Sequence, residues 1–458
     1  MLVQLRLSFR CRIFTRSSIT VTAKSLAKVL PISATVNGEN HLVIGGCDVV
    51  ELIHEYGTPL YVFDESTLEA QATNFISAFR QVHSDTTVIY ACKAFINVPL
   101  ARLLAGYGVG FDVVSGGELA VMKAAGIDPA KVHFHGNNKT PEELRDAVSW
   151  GVGRVVIDSF YEIELLGDIA STLGIIQPVL IRVSPSIDPH THRLTSTGVL
   201  DSKFGFPIET GQAAEAISIT SRTPSLDLRG IHFHLGSPIF EMEPYEEAIH
   251  RVIAFAAEMS EQGLKLSEFS PGGGFAIAYT SSDVPPPPSD YAETIVSALK
   301  SGCEEHGIPL PNLIVEPGRS ITGPAGVALY TVGAIKEIPG VRTFVSVDGG
   351  MGDNIRPALY DATYAALAGD AASDEPTSRV TIAGKYCESG DILVKDAMLP
   401  KMRPGNIVAI PAAGAYSPSM ASTYNLNGRP PIVLVRDGQS RLLRRRETYS
   451  DLMAQDTL

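Results

Sequence analysis

The chain has 458 residues, is 45% apolar, and sets 37 Lys and Arg against 50 Asp and Glu for a net charge of -13. That length allows two or three domains with a sizeable core, and the acidic balance excludes a polybasic nucleic-acid or membrane-binding surface. No run approaches the ~18 uninterrupted apolar residues needed to span a bilayer, so a soluble globular protein is expected.

Five scattered cysteines (Cys11, Cys47, Cys92, Cys303 and Cys387) show no CxxC spacing. They predict reduced thiols rather than a disulfide framework or a zinc site, and no metal is expected. Residues 1–38 carry Arg6, Arg10, Arg12, Arg16, Lys24 and Lys28 among Ser and Thr, with no acidic residue before Glu39. This composition reads as a transit peptide for a plastid or another organelle, or as a basic tail on a cytoplasmic protein. The fold is therefore expected to begin after residue 38, with short strands in 39–62 joining a β domain.

A helix should follow Phe63, with Ser66 and Glu69 as a capping box and Leu68, Ala72, Phe75, Ile76 and Phe79 on one face. Beyond it the chain alternates. Apolar, strand-like runs occur at 87–93, 109–114, 132–136, 154–158, 178–183, 228–235, 267–271 and 312–316, most of them separated by helical patterns. Thr140, Pro141 and Glu143 read as the cap, first-turn proline and capping-box partner of one such helix. Eight beats of this kind predict a (β/α)8 barrel of the TIM type over 63–322. From 323 to 458, runs such as VALYTVGAI and NIVAIPAAGAY predict a C-terminal all-β sandwich or barrel domain. PPPP at 285–288 and the stretch 365–378 read as surface loops.

In such barrels chemistry gathers where strands end. Those ends carry Lys93, Asp112, His135, Asp158, Arg182, His234 with Ser237, Gly272 to Gly274, and Glu316 with Arg319, all at the same end of their strands. Lys93, at the end of TVIYACKAF, taken alone reads as a snorkelling lysine; in this company it points into a shared cavity. The Gly272, Gly273, Gly274 loop can offer amides to a phosphate without Cβ obstruction, though it serves equally as a tight turn. A lysine, an anion cradle, an imidazole and a carboxylate together meet the needs of pyridoxal 5'-phosphate. Lys93 would hold the aldehyde as a Schiff base, Glu316 would face the pyridine nitrogen, and His234 would stack on the ring. Asp112 is equally a tuning carboxylate or a helix cap.

YACKA, FDVVSGGEL, HGNNKT, HTHRLTSTGVLDSKFGF, HFHLGS, GGGF, EPGR, DNIRPALY, YCESGD and GAYSPSMASTYN occur in that order. In this the chain resembles the diaminopimelate decarboxylases, of the alanine-racemase-like class of pyridoxal phosphate enzymes, over roughly residues 40–450. The resemblance implies that Lys93 is the Schiff-base lysine and His234 the stacking residue. It makes Ser237 and Gly272 to Gly274 phosphate ligands, and Glu316 with the following Pro317, Gly318 and Arg319 part of the cofactor site. Arg319, Arg356 and Tyr360 match residues that grip the distal end of an amino-acid substrate, and Tyr416 one that reaches both phosphate and substrate. Cys387 and Glu388 match residues delivered by the second subunit of a homodimer, Cys387 as proton donor and Glu388 as substrate contact; an isolated cysteine would otherwise read as a small buried hydrophobe. The implied reaction converts meso-2,6-diaminoheptanedioate to L-lysine and carbon dioxide. Alternatives are a related decarboxylase acting on carboxynorspermidine, ornithine or arginine, a racemase, and an inactive paralogue that acts by subunit binding.

Overall fold

The computed structural model describes residues 26–188, 197–198 and 200–457. Cys11, most of the expected leader and most of the HTHRLTSTG stretch lie outside them. The described residues divide into two compact units, one within 71–276 and 285–320, the other within 26–70, 277–284 and 321–457.

The N-terminal strands are β1 (Thr35–Val36), β2 (Leu42–Ile44), β3 (Cys47–Asp48) and β4 (Leu60–Asp64). There follow β5 (Thr86–Ala91), β6 (Gly110–Val113), β7 (Val132–Phe134), β8 (Arg154–Ile157), β9 (Gln177–Ser184) and β10 (Phe206–Pro207). β11 (Leu226–His232), β12 (Glu268–Gly272) and β13 (Asn312–Val315) complete the run. β5, β6, β7, β8, β9, β11, β12 and β13 pair in parallel in chain order, and β13 returns to β5, closing an eight-stranded barrel. All eight predicted strands are therefore present. Ile89, Val156, Leu180 and Ile314, from four of the strands, form one buried apolar cluster.

Local sequence explains the turns that feed the barrel mouth. Ser115, Thr140 and Ser159 each cap a helix by accepting the backbone N–H three residues on, at Glu118, Glu143 and Glu162. At Thr140 the reciprocal bond from Glu143 completes the predicted capping box. The helix after β4 differs: it begins at Glu65, and Asp64 rather than Ser66 takes the capping role, accepting from both the amide and the hydroxyl of Thr67.

The second unit is built on β14 (Gly326–Ile338), β15 (Arg342–Val347), β16 (Leu367–Ala368), β17 (Ser378–Ala383), β18 (Ile392–Leu399), β19 (Ile407–Ile410), β20 (Ile432–Arg436) and β21 (Gln439–Arg444). β14 pairs antiparallel with β4, β15 and β19, and β4 pairs with β20. The early strands thus part company: β4 enters this large sheet, while β1 to β3 form a small sheet of their own.

Three expectations are corrected here. A fold beginning after residue 38 is too late, because Val29 is buried and Leu30 and Val36 pack in the core of this unit. The 365–378 stretch is not merely a loop: Leu367 and Ala372 are core residues and β16 pairs with β19. Residues 277–284, placed in the barrel by strand counting, cluster with the β unit.

Gly230 tests the barrel's closure, since a Cβ there would overlap the carbonyl of Glu268 across the β11–β12 pairing. Gly230→Ala should cost about 3 kcal/mol or more in thermal unfolding, whereas Gly307→Ala, in open space at a left-handed helix cap, should cost only about 1–2.

Candidate active site

β5 ends at Ala91 and passes into a single tight turn, Cys92–Ala94, that carries Lys93 at the C-terminal end of the barrel. The lysine side chain is 39% exposed, and its Nζ lies 3.7 Å from Asp112, at the end of β6, which is fully buried. Lys93 is thus reachable yet held against a carboxylate. Behind the pair stand His135, just after β7, and Glu316, just after β13. His135 Nε2 lies 3.8 Å from both carboxylates. Glu316 is bonded from two neighbouring strands: Ser270 Oγ donates to it at 2.8 Å, and His232 Nε2 lies at 3.3 Å. Arg182 on β9 pairs with Asp158 at 3.6 Å.

The charges in this cluster follow from burial. Desolvation works against ionisation of Glu316, but the hydrogen bond from His232 and the charge of Lys93 oppose it and hold the group well below the usual carboxylate range. Asp112 goes the other way. Burial drives it up to about 7, against the pull of Lys93 and with a further push from Glu316. Burial also depresses His133, His135, His232 and His234, leaving neutral imidazoles. The interior therefore holds its negative charge on Glu316.

β12 runs into the glycine loop. Gly272 N–H donates to Ser270 Oγ and Gly273 N–H to His234 Nδ1, so these two amides are used within the site. The second bond also fixes the ring of His234 with its proton on Nε2. Gly272, at φ +76°, leaves no room for a Cβ, which would stand 2.7 Å from that same ring nitrogen. After β13, Pro317 O accepts from Ala91 N–H at the end of β5, and a Cβ on Gly318 would come within 2.9 Å of that of Ala91. Arg319 Nε donates to Ser237 Oγ at 3.2 Å.

The barrel unit thus brings together Lys93, Asp112, His234, Gly272 to Gly274 and Glu316, and sets Ser237 beside Arg319. Arg356, Tyr360, Cys387, Glu388 and Tyr416 belong to the β unit. Arg356 is buried, donates to Tyr364 Oη, and lies 4.7 Å from the ring of Tyr279; it is no surface ion pair. Tyr360 ends the helix Arg356–Tyr360, and Tyr416 holds a left-handed conformation at φ +63°. Cys387 is exposed, which overturns the reading of a small buried hydrophobe. Its amide donates to Asn425 Oδ1, and Asp391 pins the turn by accepting from the amides of Tyr386 and Met351. Glu388, beside Cys387, accepts from Gly390 N–H.

Asp112 Oδ1 and Oδ2 and His135 Nε2 are buried without hydrogen-bond partners. Orphaned polar atoms of this kind beside a reachable lysine are what a polar aromatic group bound at the barrel mouth would meet, so the residues fit pyridoxal phosphate. Residues 65–323 match the family model described as the pyridoxal binding domain of pyridoxal-dependent decarboxylases. The barrel is the cofactor domain of a decarboxylase of that class. The chain is also 43% identical to the diaminopimelate decarboxylase of Halalkalibacterium halodurans, over 93% of this chain and 97% of that one. It is 43% identical to that of Bacillus subtilis, over 92% and 96%. A crystal structure of diaminopimelate decarboxylase from M. jannaschii in complex with L-lysine superposes with a TM-score of 0.87, at 36% identity over 93% of this chain and 98% of that one. The chain belongs to the diaminopimelate decarboxylase family.

Sequence reasoning gave no role to His232, Ser270 or Lys139. His232 and His234 stand two apart in HFH, a spacing that puts both on one face of a strand, and this was the available signal for the first. Lys139 is buried and donates to Gly136 O, Val156 O and Glu162, tying the loop after β7 to β8.

Two outcomes follow. Lys139→Met leaves Glu162 buried without its counter-charge and should cost about 3 kcal/mol in chemical denaturation. Between about pH 4 and pH 7, Asp112 is protonated in the folded chain and ionised in the unfolded one, so its contribution to stability falls as pH rises through that window. Asp112→Asn should therefore flatten the decline in the cofactor-free protein's melting temperature across this range.

Proposed function

We propose that the chain decarboxylates meso-2,6-diaminoheptanedioate to L-lysine and carbon dioxide, the last step of lysine biosynthesis, with pyridoxal phosphate bound at the barrel mouth. The observation that carries this is the buried, ionised Glu316 set among imidazoles opposite a reachable Lys93, in a chain of this family. The names of the curated relatives and the L-lysine held in the M. jannaschii crystals support the substrate class.

When bound, the cofactor supplies an electron sink for the pair left behind as carbon dioxide departs. The protein's own groups do the rest. Lys93 is the amine that holds the cofactor. Glu316, kept anionic, would hold a proton on a pyridine nitrogen bound against it. His234, its ring fixed by Gly273, offers a flat neutral surface, and Asp112 tunes the groups around Lys93. Gly274, whose amide is not drawn into the bonds that occupy Gly272 and Gly273, joins Ser237 and Tyr416 as the phosphate-binding set.

Arg319 and Arg356 suit a substrate with a second carboxylate, since a guanidinium pairs with that group through two parallel bonds. Ornithine has no distal carboxylate to fill such a site. Tyr360 and Glu388 complete the grip, and Cys387 delivers the proton that replaces carbon dioxide. The exposure of Cys387 and Glu388 supports their delivery by a second copy in a homodimer with shared sites. Among the described residues no helix is long and apolar enough to cross a membrane. The basic, acid-free composition of residues 1–25 supports an organellar address for the chain.

Lysine release measured with and without added pyridoxal phosphate tests the assignment. Wild-type protein should form lysine from the meso substrate and show the absorbance of bound cofactor. Lys93→Ala should lose that absorbance and slow turnover by on the order of a thousandfold or more. Unchanged turnover in the variant, or no lysine from the reconstituted wild type, refutes it.

A further inference from the structure

We infer that His232 is a positioning residue for Glu316: its imidazole N–H, bonded to one carboxylate oxygen while Ser270 holds the other, sets the plane in which that group meets the cofactor. The inference rests on the function proposed above and adds a residue that acts through Glu316 without touching the substrate.

His232 is 1% exposed, and its Nε2 lies 3.3 Å from each oxygen of Glu316. The hydrogen bond runs to Oε2, and with the other oxygen held separately it restrains rotation of the carboxylate about its last bond, which one bond alone would not. Ser270 supplies the second restraint. Its Oγ accepts Gly272 N–H, so its one proton is committed to Glu316 Oε1. Strand register holds the histidine in turn: His232 is level with Ser270 on β12 and with Arg182 on β9. The edge of His135 closes its remaining side, with the ring centroids 4.9 Å apart at 78°.

The protonation pattern agrees with this geometry. Nε2 must carry the proton to serve as donor, and His232 Nδ1 is buried with no partner, as expected of a neutral ring. Burial of the imidazole disfavours its cationic form, so the arrangement is a neutral donor on an anion rather than an ion pair. His135, His232 and Glu316 place one donor atom each within 4.8 Å of one another. The bonds from His232 and Ser270 together, however, account for the carboxylate's orientation without an ion.

The test compares His232→Leu, His232→Gln and His232→Asn with wild type, reading pyridoxal phosphate dissociation by fluorescence and kcat and KM by lysine release. Loss of a hydrogen bond to a charged group predicts that His232→Leu weakens cofactor binding and lowers kcat by on the order of tenfold or more, while KM shifts less than about threefold. His232→Gln, which keeps an N–H near the same reach, should recover most of both; the shorter His232→Asn should not. Should His232→Leu fail to fold, the Gln and Asn pair still decides. Equal cofactor affinities in those two, or wild-type behaviour of the Leu variant, overturn the inference while leaving the proposed function standing. A wild-type protein that binds no pyridoxal phosphate overturns both.

Discussion

A carboxylate that is 5% exposed inside a parallel barrel can keep its charge only if protein groups replace the water it has lost, and Glu316 is in that position. Ser270 and His232 donate to it from two adjacent strands, His135 stands close on a third, and Lys93 supplies the nearby positive charge. The neighbouring acid then cannot ionise as readily. Asp112 is pushed up partly because Glu316 is charged, and the imidazoles stay neutral because they are buried. One requirement thus sets the protonation states of the whole cluster.

The same requirement explains the glycines. Glu316 N–H donates to Gly272 O, and a Cβ on Gly273 would overlap Glu316 O, so the loop after β12 and the one after β13 lie backbone against backbone. That approach also places Gly273 N–H on His234 and so fixes the ring's tautomer. The glycine run serves mainly to let the strand ends close on one another. Its capacity to hold an anion falls to whatever amide this packing leaves over.

The β unit solves a different problem: it holds Cys387 and Glu388 on an exposed turn. Asp391 gathers two amides around the turn that carries Cys387, Asn425 caps the cysteine's own amide, and Tyr386 stacks on Tyr424. Burial raises Asp391, while the two donated N–H groups oppose the shift. Backbone order thereby comes from one carboxylate without burying the thiol.

The eight barrel strands were legible because parallel strands covered on both faces read as β-branched runs, and the helix starts because Ser or Thr with Glu three on has a local meaning. Strand-end phase also exposed Lys93, Asp112, His234 and Glu316 as one set. Local signals misled where partners are distant. Leu30 and Val36 look like a leader's apolar residues until they join the core built by β4, β14 and β19, and Ser66 loses its capping role because Asp64 sits nearer the helix start. By itself, then, the order of residues determined the alternation of elements and which strand ends carry chemistry, since both depend on neighbours in the chain. Which imidazole supports which carboxylate, and which acid keeps its proton, was decided by the closed barrel alone. Those properties depend on burial and on distances between strands far apart in sequence.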